Sequence, residues 1–216
     1  MKKALVLLSG GVDSTTLAHY VKKILNRELF AISFIYGQRH SKELEFAKYQ
    51  ANLLNVIEHK IIDISFLKEL KSSALINKNL DIPTWEQAQK EMPITYVPFR
   101  NLIFLSIALS YAEDNGIDEV YYAAQRQDYV GYWDCREEFV QNLNKLIELN
   151  PKTKIKVLAP FINLRKSEII KIGLELGIEY NKTWSCYKGE EKPCGICPSC
   201  TDRKRAFEEV GIYDIK

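Results

Sequence analysis

The sequence lacks the features that mark a membrane protein or a dedicated nucleic-acid binder. It has no apolar run of the roughly 18 residues that a membrane-spanning helix needs. Its charges nearly cancel, because 30 Lys and Arg residues stand against 28 Asp and Glu residues and the net charge is only +2. A domain that binds long RNA or DNA is usually far more basic. We therefore expect neither a membrane nor a nucleic acid as a partner.

The first residues do not predict a secretion signal either. Met1, Lys2 and Lys3 precede a short apolar stretch, but a glycine turn follows at once and no small-residue cleavage site intervenes. The stretch predicts a first strand, and we expect a cytoplasmic protein. With 216 residues, 46% of them hydrophobic, the chain is long enough for one large domain or for a domain with an appendage.

Two common nucleotide-binding motifs are absent, namely Gly-x-x-x-x-Gly-Lys-Ser/Thr and Gly-x-Gly-x-x-Gly. Instead, an apolar run ends in a glycine turn, after which a helical pattern begins: Ser9-Gly10-Gly11-Val12-Asp13-Ser14. The glycines allow a sharp turn that exposes N–H groups, and the helix dipole adds positive potential. Two adjacent glycines alone would fit an ordinary capped turn equally well, but the complete string directly after a strand favours a phosphate site.

The remaining sequence alternates between apolar runs and helical spacing. It predicts strands at residues 29–36, 57–64, 119–124 and 155–158, and helices at residues 41–54, 101–115, 137–149 and 164–177. This alternation indicates an α/β fold with a doubly wound, mainly parallel sheet of five strands. Ligands bind such sheets at the carboxyl ends of the strands, where residues 9–14, 37–40 and 125–136 are expected to lie.

Two segments stand out from this alternation. Residues 71–98 are polar and contain three prolines, and a loop of this length predicts a lid or binding loop, with a disordered excursion as the alternative. The helix at residues 101–115 is strongly apolar. We expect it to be buried nearly all round, in the core rather than at a subunit contact.

Four of the five cysteines lie close together near the C-terminus, with the spacing C-x7-C-x2-C-x2-C: Cys186, Cys194, Cys197 and Cys200. Four thiolates at this spacing predict one tetrahedral zinc ion, and an iron–sulfur cluster is the main alternative. Because no ligand position would remain open for catalysis, we expect a structural ion. It would hold a small helical segment, residues 181–216, on a nucleotide-binding domain of residues 1–180.

Cys135 and the basic residues 203–205 lie outside the cysteine cluster. Cys135 is expected to be a small buried hydrophobic residue rather than a reactive thiol. Arg203, Lys204 and Arg205 follow the cysteines, and we expect them to form a solvated basic helix face rather than a phosphate contact.

Several strings together carry a family resemblance. The first string, at residues 9–14, resembles the pyrophosphate loop of the ATP pyrophosphatase (PP-loop) superfamily, whose members adenylate an oxygen and release pyrophosphate. With the strings at residues 37–40, 97–101, 128–136, 184–187 and 193–200, the whole chain resembles the 7-cyano-7-deazaguanine synthase family, nitrile-forming ligases of queuosine precursor biosynthesis. Two residues depart from the family pattern: Phe99 stands where the family often has a small residue, and Trp133 stands where it often has proline.

The resemblance implies an adenine nucleotide α-hydrolase-like fold and ATP-dependent conversion of 7-carboxy-7-deazaguanine and ammonia into 7-cyano-7-deazaguanine. The carboxylate would be adenylated, ammonia would give an amide, and activation of the amide oxygen would give the nitrile. Implied cofactors are magnesium with ATP and one structural zinc ion, and the implied assembly is a homodimer.

The resemblance also implies three sets of site residues. The nucleotide would contact Leu8, Ser9, Gly10, Gly11, Val12, Asp13, Ser14, Thr15, Thr16, Leu17 and Ala18. The catalytic set would be Asp13, Arg39, His40 and Arg100, with Asp13 helping to place magnesium. The acceptor substrate would contact Gln38, Arg39, Arg100, Asp128, Asp134 and Lys166.

Two alternatives remain at this point. A PP-loop ligase that thiolates transfer RNA or forms lysidine would need an RNA-binding appendage or a strongly basic surface, which this sequence lacks. A thiolase would also need a free catalytic cysteine, for which Cys135 is the candidate outside the cluster. A zinc-binding module without catalysis would leave the phosphate loop unexplained.

Overall fold

A computed structural model describes residues 1–39, 42–88, 93–129, 131–189 and 191–213. Within them, five parallel strands form one sheet in the order β3-β2-β1-β4-β5. The strands are β1 (Lys3–Leu7), β2 (Glu28–Ile35), β3 (His59–Asp63), β4 (Glu119–Tyr121) and β5 (Lys156–Leu158). All five strands were predicted from the sequence, although β3 and β4 are each three residues shorter than predicted.

The helices also follow the predicted order. They are α1 (Val12–Lys23), α2 (Lys42–Leu53), α3 (Arg100–Asp114), α4 (Glu137–Ile147), α5 (Lys166–Glu175) and α6 (Pro198–Glu209). No helix in the described ranges is long and apolar enough to cross a membrane.

Helices cover both faces of the sheet, because neighbouring strand residues point to opposite sides. Leu5 of β1 belongs to the core cluster that includes Leu105 of α3. Val6, the next residue, belongs to the cluster on the other face with Leu17 of α1 and Ile169 of α5. This arrangement confirms the predicted doubly wound α/β fold.

The segment predicted to be a lid is anchored in its first part. Ala74, Leu75 and Ile76 are buried in the same cluster as Leu5, and so is Val97 near its end. Burial of these side chains argues against a loop that opens freely along its whole length. Residues 89–92 lie outside the described ranges.

Helix α3 is less buried than its composition predicts. Leu105, Ala108 and Ala112 are fully buried and face the sheet, whereas Ser106 and Ser110 are exposed. The apolar residues between these two faces are only partly covered. The expectation of burial nearly all round was therefore wrong, because the sheet covers only one face of this helix.

The C-terminal segment packs against the nucleotide-binding part of the chain. Phe207 of α6 shares a core cluster with Val12 at the start of α1 and with Tyr180. The backbone N–H of Trp184 donates to the Gly10 carbonyl at 2.9 Å. A division into domains at residue 180 stays a prediction, and the packing joins the two parts directly at the glycine turn.

Candidate active site

The glycine turn after β1 is held in a shape that exposes its backbone. Gly10 has φ +81°, and a Cβ placed there would lie 2.3 Å from the Glu43 carbonyl oxygen, so that only glycine fits. The Ser9 and Ser14 hydroxyls lie 2.9 Å apart, and Gly11 caps α1. Asp13 lies in the first turn of that helix. The turn therefore presents hydroxyls and the positive end of α1 to whatever binds above it.

A cavity of about 290 Å³ lies over this turn at the carboxyl edge of the sheet. Many predicted site residues line it: Leu8, Ser9, Gly11, Val12, Asp13, Ser14, Gln38, Arg100, Asp128 and Lys166. Its walls thus bring together three strand-end segments that are far apart in sequence, as the parallel topology predicts.

The other predicted nucleotide contacts do not line this cavity. They are Gly10, Thr15, Thr16, Leu17 and Ala18. The last four continue α1 into the interior and are essentially fully buried. Their side chains serve the packing of the helix, and the Thr16 hydroxyl contacts the Tyr180 hydroxyl at 2.7 Å.

Arg39 and Asp134 also lie away from the cavity walls. The Arg39 guanidinium donates to the carbonyls of Ala74, Asn77 and Leu80, so it anchors the long loop rather than facing a ligand. Asp134 is 2% exposed, and burial raises the pKa of its carboxyl. Neither position offers a charged group to a substrate in this arrangement.

Gln38 and His40 flank Arg39 in the string at residues 37–40. Gln38 lines the cavity, but its side-chain amide is hydrogen-bonded to the backbone at the end of β2. Its oxygen accepts from the Tyr36 backbone N–H, and its nitrogen donates to the Phe34 carbonyl. Gln38 therefore shapes the wall. His40, predicted to be catalytic, lies outside the described residues.

Arg100 is one of the cations that line the cavity. Its guanidinium donates to the Tyr36 hydroxyl at 3.3 Å and lies 5.5 Å from the centre of that ring. Tyr132 and Tyr187 line the same cavity. Burial raises the pKa of Tyr36 to about 12, so these groups offer neutral hydroxyls around one fixed positive charge. A planar, carboxylated ring would fit such a wall.

Glu43 is a cavity residue that the sequence reasoning missed. It belongs to the first turn of α2 and lines the cavity with Arg100 and Tyr36. Burial raises the pKa of its carboxyl to about 7, and the Arg100 charge opposes this shift. In the sequence, the feature that could have pointed to Glu43 is its position three residues after the polar strand-end string 37–40. A carboxyl group with a pKa near neutrality is suited to exchange protons.

Lys166 connects the glycine turn with the C-terminal segment. Its ammonium group contacts Asp202 of α6 and lies 3.4 Å from the Asp13 carboxylate. Burial lowers the pKa of Lys166, but the carboxylates of Asp13, Asp202 and Asp128 together outweigh burial and raise it overall. Burial also raises the pKa of Asp128, to about 7, on the same side of the cavity. Asp202 was missed as well, although it follows Cys200 by only two residues.

The four clustered cysteines could hold a metal ion. Their sulfur atoms all lie within 4.8 Å of one another, and a tetrahedral ion with Zn–S bonds of about 2.3 Å needs sulfurs roughly 3.8 Å apart. Cys186, Cys197 and Cys200 are buried, and Cys194 is partly exposed. The donor set and its spacing therefore fit one closed tetrahedral site.

Arg203 next to this cluster is 5% exposed, so the expectation that it belongs to a solvated basic face was wrong. It donates to the Thr183 hydroxyl at 2.8 Å and to the Tyr180 carbonyl at 2.9 Å. Lys204 and Arg205 are exposed as expected.

A family model described as "Queuosine biosynthesis protein QueC" matches residues 3–211. The chain belongs to the QueC family. Among curated relatives, the "7-cyano-7-deazaguanine synthase" of Caldicellulosiruptor saccharolyticus is 47% identical over 212 residues, which cover 98% of this chain and 93% of the relative. The enzyme of that name from Methanosphaerula palustris is 43% identical over 98% of this chain and 97% of its own length. These matches confirm the family and the place in queuosine biosynthesis that the motifs predicted.

Solved structures share the fold of this QueC-family chain at low identity. An NMN synthetase from Francisella tularensis covers 99% of this chain, which in turn covers 79% of it, with a TM-score of 0.53 and 15% identity. An ammonia-dependent NAD synthetase from Campylobacter jejuni, solved with a nitrate ion, covers 83% of this chain with a TM-score of 0.51 and 21% identity, and this chain covers 66% of it. These likenesses support the predicted fold class.

Phe99 stands where the family resemblance led us to expect a small residue. It precedes α3 with φ +53°, a left-handed conformation that glycine adopts without strain and a bulky residue does not. Its ring is 54% exposed and packs edge-on against Trp133 at 5.4 Å.

Removal of an ion held by the four cysteines is expected to lower the thermal stability of this QueC-family chain. The cysteine cluster fixes the start of α6, whose loss would also release the contacts of Arg203. Because a structural zinc ion contributes several kcal/mol of folding free energy, a chelator should lower Tm by roughly 10 °C. Melting curves beside metal analysis test this. An unchanged Tm after complete metal removal would contradict a structural role, and iron as the bound metal would refute zinc.

Proposed function

We propose that this chain converts 7-carboxy-7-deazaguanine, ammonia and ATP into 7-cyano-7-deazaguanine. One observation carries the proposal: in a QueC-family chain, a single cavity joins the phosphate-binding turn to a wall with Arg100 and Glu43. A carboxylate is a poor electrophile, and adenylation gives it a leaving group.

The first step joins the substrate carboxylate to the α-phosphorus of ATP. A carboxylate oxygen attacks, the bond between the α- and β-phosphates breaks, and pyrophosphate leaves. Residues 9–14 hold the phosphates, and Lys166 contacts one of them. The Asp13 Oδ1 atom is buried and has no hydrogen-bond partner among the described residues, which suits a magnesium ligand. Arg100 holds the carboxylate with its planar fork of donors.

The later steps remove protons from nitrogen. Ammonia attacks the acyl carbon, AMP leaves, and the nitrogen gives up a proton as the amide forms. The amide oxygen then attacks the α-phosphorus of a second ATP and pyrophosphate leaves, after which AMP and two N–H protons leave and the C≡N bond forms. Glu43 is the proton acceptor, because its carboxyl lines the cavity and its raised pKa lets it take and release protons near neutrality.

The remaining assignments belong to the same proposal. Asp128 accepts hydrogen bonds from the guanine-like N–H edge, and the four cysteines hold zinc as a structural ion. The enzyme is a cytoplasmic homodimer without nucleic-acid partners. Partly covered apolar residues of α3 support the dimer, and light scattering tests it.

The function is tested by incubating the purified chain with ATP, ammonia and 7-carboxy-7-deazaguanine, followed by mass spectrometry of the base. We expect the amide and then the nitrile to appear, with AMP and pyrophosphate. A folded chain that leaves the base unchanged would refute the ligase assignment.

Replacing Cys135 with alanine separates this reaction from one of the alternatives, sulfur transfer to transfer RNA. Cys135 is 6% exposed, and burial raises the pKa of its thiol, which disfavours the nucleophilic thiolate. We therefore expect nitrile formation to stay within about tenfold of the parent rate, because no covalent step uses the thiol. Loss of all turnover in a folded variant would favour the thiolase.

A further inference from the structure

Lys166 is shared unequally between two carboxylates. Its ammonium group makes its closer contact with Asp202, whereas the nearest Asp13 oxygen, Oδ2, is 3.4 Å away. The other Asp13 oxygen, Oδ1, is buried without a hydrogen-bond partner among the described residues. Asp202 is therefore the closer ion-pair partner of Lys166, and the Oδ1 atom of Asp13 remains available to a ligand.

The position of Asp202 is fixed from the metal side. Helix α6 begins directly after Cys197, which is its N-cap residue, and Cys200 lies in its first turn. The residue after Asp202 is the buried Arg203, whose guanidinium is held by Thr183 and by the Tyr180 carbonyl. Asp202 is thus placed by the cysteine cluster on one side and by a buried cation on the other.

We propose that Asp202 is a positioning residue for the ATP site, drawing Lys166 away from Asp13 so that the carboxylate is free for magnesium and the ammonium group for phosphate. This inference rests on the proposed use of ATP. It gives the metal-bound segment a second role besides stability, because that segment supplies the group that orders the nucleotide loop.

The sign of the effect separates positioning from simple electrostatics. Without the Asp202 charge, Asp13 would be the ion-pair partner left to Lys166 within the described part of the chain, and the lysine would pair with it more closely. Magnesium would then compete with an ammonium group for Asp13, and Mg·ATP would bind more weakly. Simple electrostatics predicts the opposite, because removing a negative charge near a triphosphate should strengthen its binding.

The test compares Asp202→Asn with the parent enzyme in its metal-loaded form. Titration calorimetry with Mg·ATP should give an affinity roughly tenfold weaker, the scale of one lost charge-assisted hydrogen bond, and a higher magnesium requirement. Binding of adenosine, which has no phosphates, should not change. Glu208→Gln is the matched control, since Glu208 pairs with Lys204 on the exposed side of the same helix. Metal content and Tm are measured for each variant.

A double-mutant cycle with Lys166→Met makes the inference decisive. If Asp202 acts through Lys166, Asp202→Asn should add almost nothing in the Lys166→Met background. Asp202→Glu, which keeps the charge, should restore part of the Mg·ATP affinity, and Asp202→Ser replaces the asparagine variant if that one loses metal. Equal or tighter Mg·ATP binding by Asp202→Asn, or additive losses, would overturn the inference. A parent chain that binds Mg·ATP but forms no nitrile would refute the proposed function alone.

Discussion

Replacing Arg100 with methionine is expected to lower kcat/KM for the carboxylated base by roughly 10²- to 10³-fold, the usual cost of losing a fixed group that stabilises developing charge. Arg100 is the cation on the cavity wall formed with Tyr36 and Glu43. Methionine keeps much of the side-chain volume but removes the donors that would orient the carboxylate for attack on ATP. Steady-state kinetics with the base varied at saturating ATP measures the loss.

Arg100→Lys is the matched control for geometry. It keeps the positive charge but loses the planar fork, so most of the loss should remain and should include a higher KM for the base. Mg·ATP affinity should change little in both variants, because the groups assigned to the phosphates lie on the glycine turn and on Lys166. Parent-like kcat/KM in a folded Arg100→Met variant would contradict the carboxylate role.

The sequence could predict which segments meet at the site, because strand periodicity and parallel topology fix the carboxyl edge of the sheet. Ser9, Asp13, Arg100 and Asp128 reach the cavity for this reason. The direction of a side chain next to such an edge is not set by periodicity. Arg39 stands in a strand-end string, yet it turns toward the carbonyls of the long loop because that loop packs beneath it.

Contacts between segments that are distant in sequence could not be predicted from the sequence either. Glu43 reaches the cavity because α2 packs so closely on the turn that only Gly10 fits beneath its first residues. Asp202 meets Lys166 only because the cysteine cluster brings α6 back to α5. Spacing identified the four cysteines that could hold a metal ion. The placement of their segment on the glycine turn follows from packing that involves Trp184.

Replacing Glu43 with glutamine is expected to lower kcat by roughly 10²- to 10⁴-fold, the range for loss of a general base. Glutamine has nearly the same shape but cannot accept the protons that leave nitrogen. The rate of amide formation and the rate of conversion of added amide to nitrile should both fall, since each step releases such protons. Single-turnover experiments with the acid and with the amide measure the two steps separately.

The pH profile distinguishes a base from a residue that only shapes the cavity. The Glu43 carboxyl must be ionised to accept a proton, so kcat of the parent should rise with pH through about 7 and then level off. The rates are compared at constant free ammonia, because its fraction also rises with pH. The rise should vanish in Glu43→Gln. Asp128→Asn is the necessary control, because the pKa of Asp128 is also raised to about 7, and this variant should keep the rise.

Stability should move in the opposite direction from activity in Glu43→Gln. Because the folded-state pKa of Glu43 lies above its value of 4.5 in the unfolded chain, the folded state binds more protons between these values, and this carboxyl lowers the free energy of unfolding as pH rises from about 4.5 to 7. Glutamine removes that penalty, so at pH 8 the variant should melt at the same temperature as the parent or higher. Lost activity in such a stable variant would assign Glu43 to the chemistry, whereas parent-like turnover or a retained pH step would exclude it as the base.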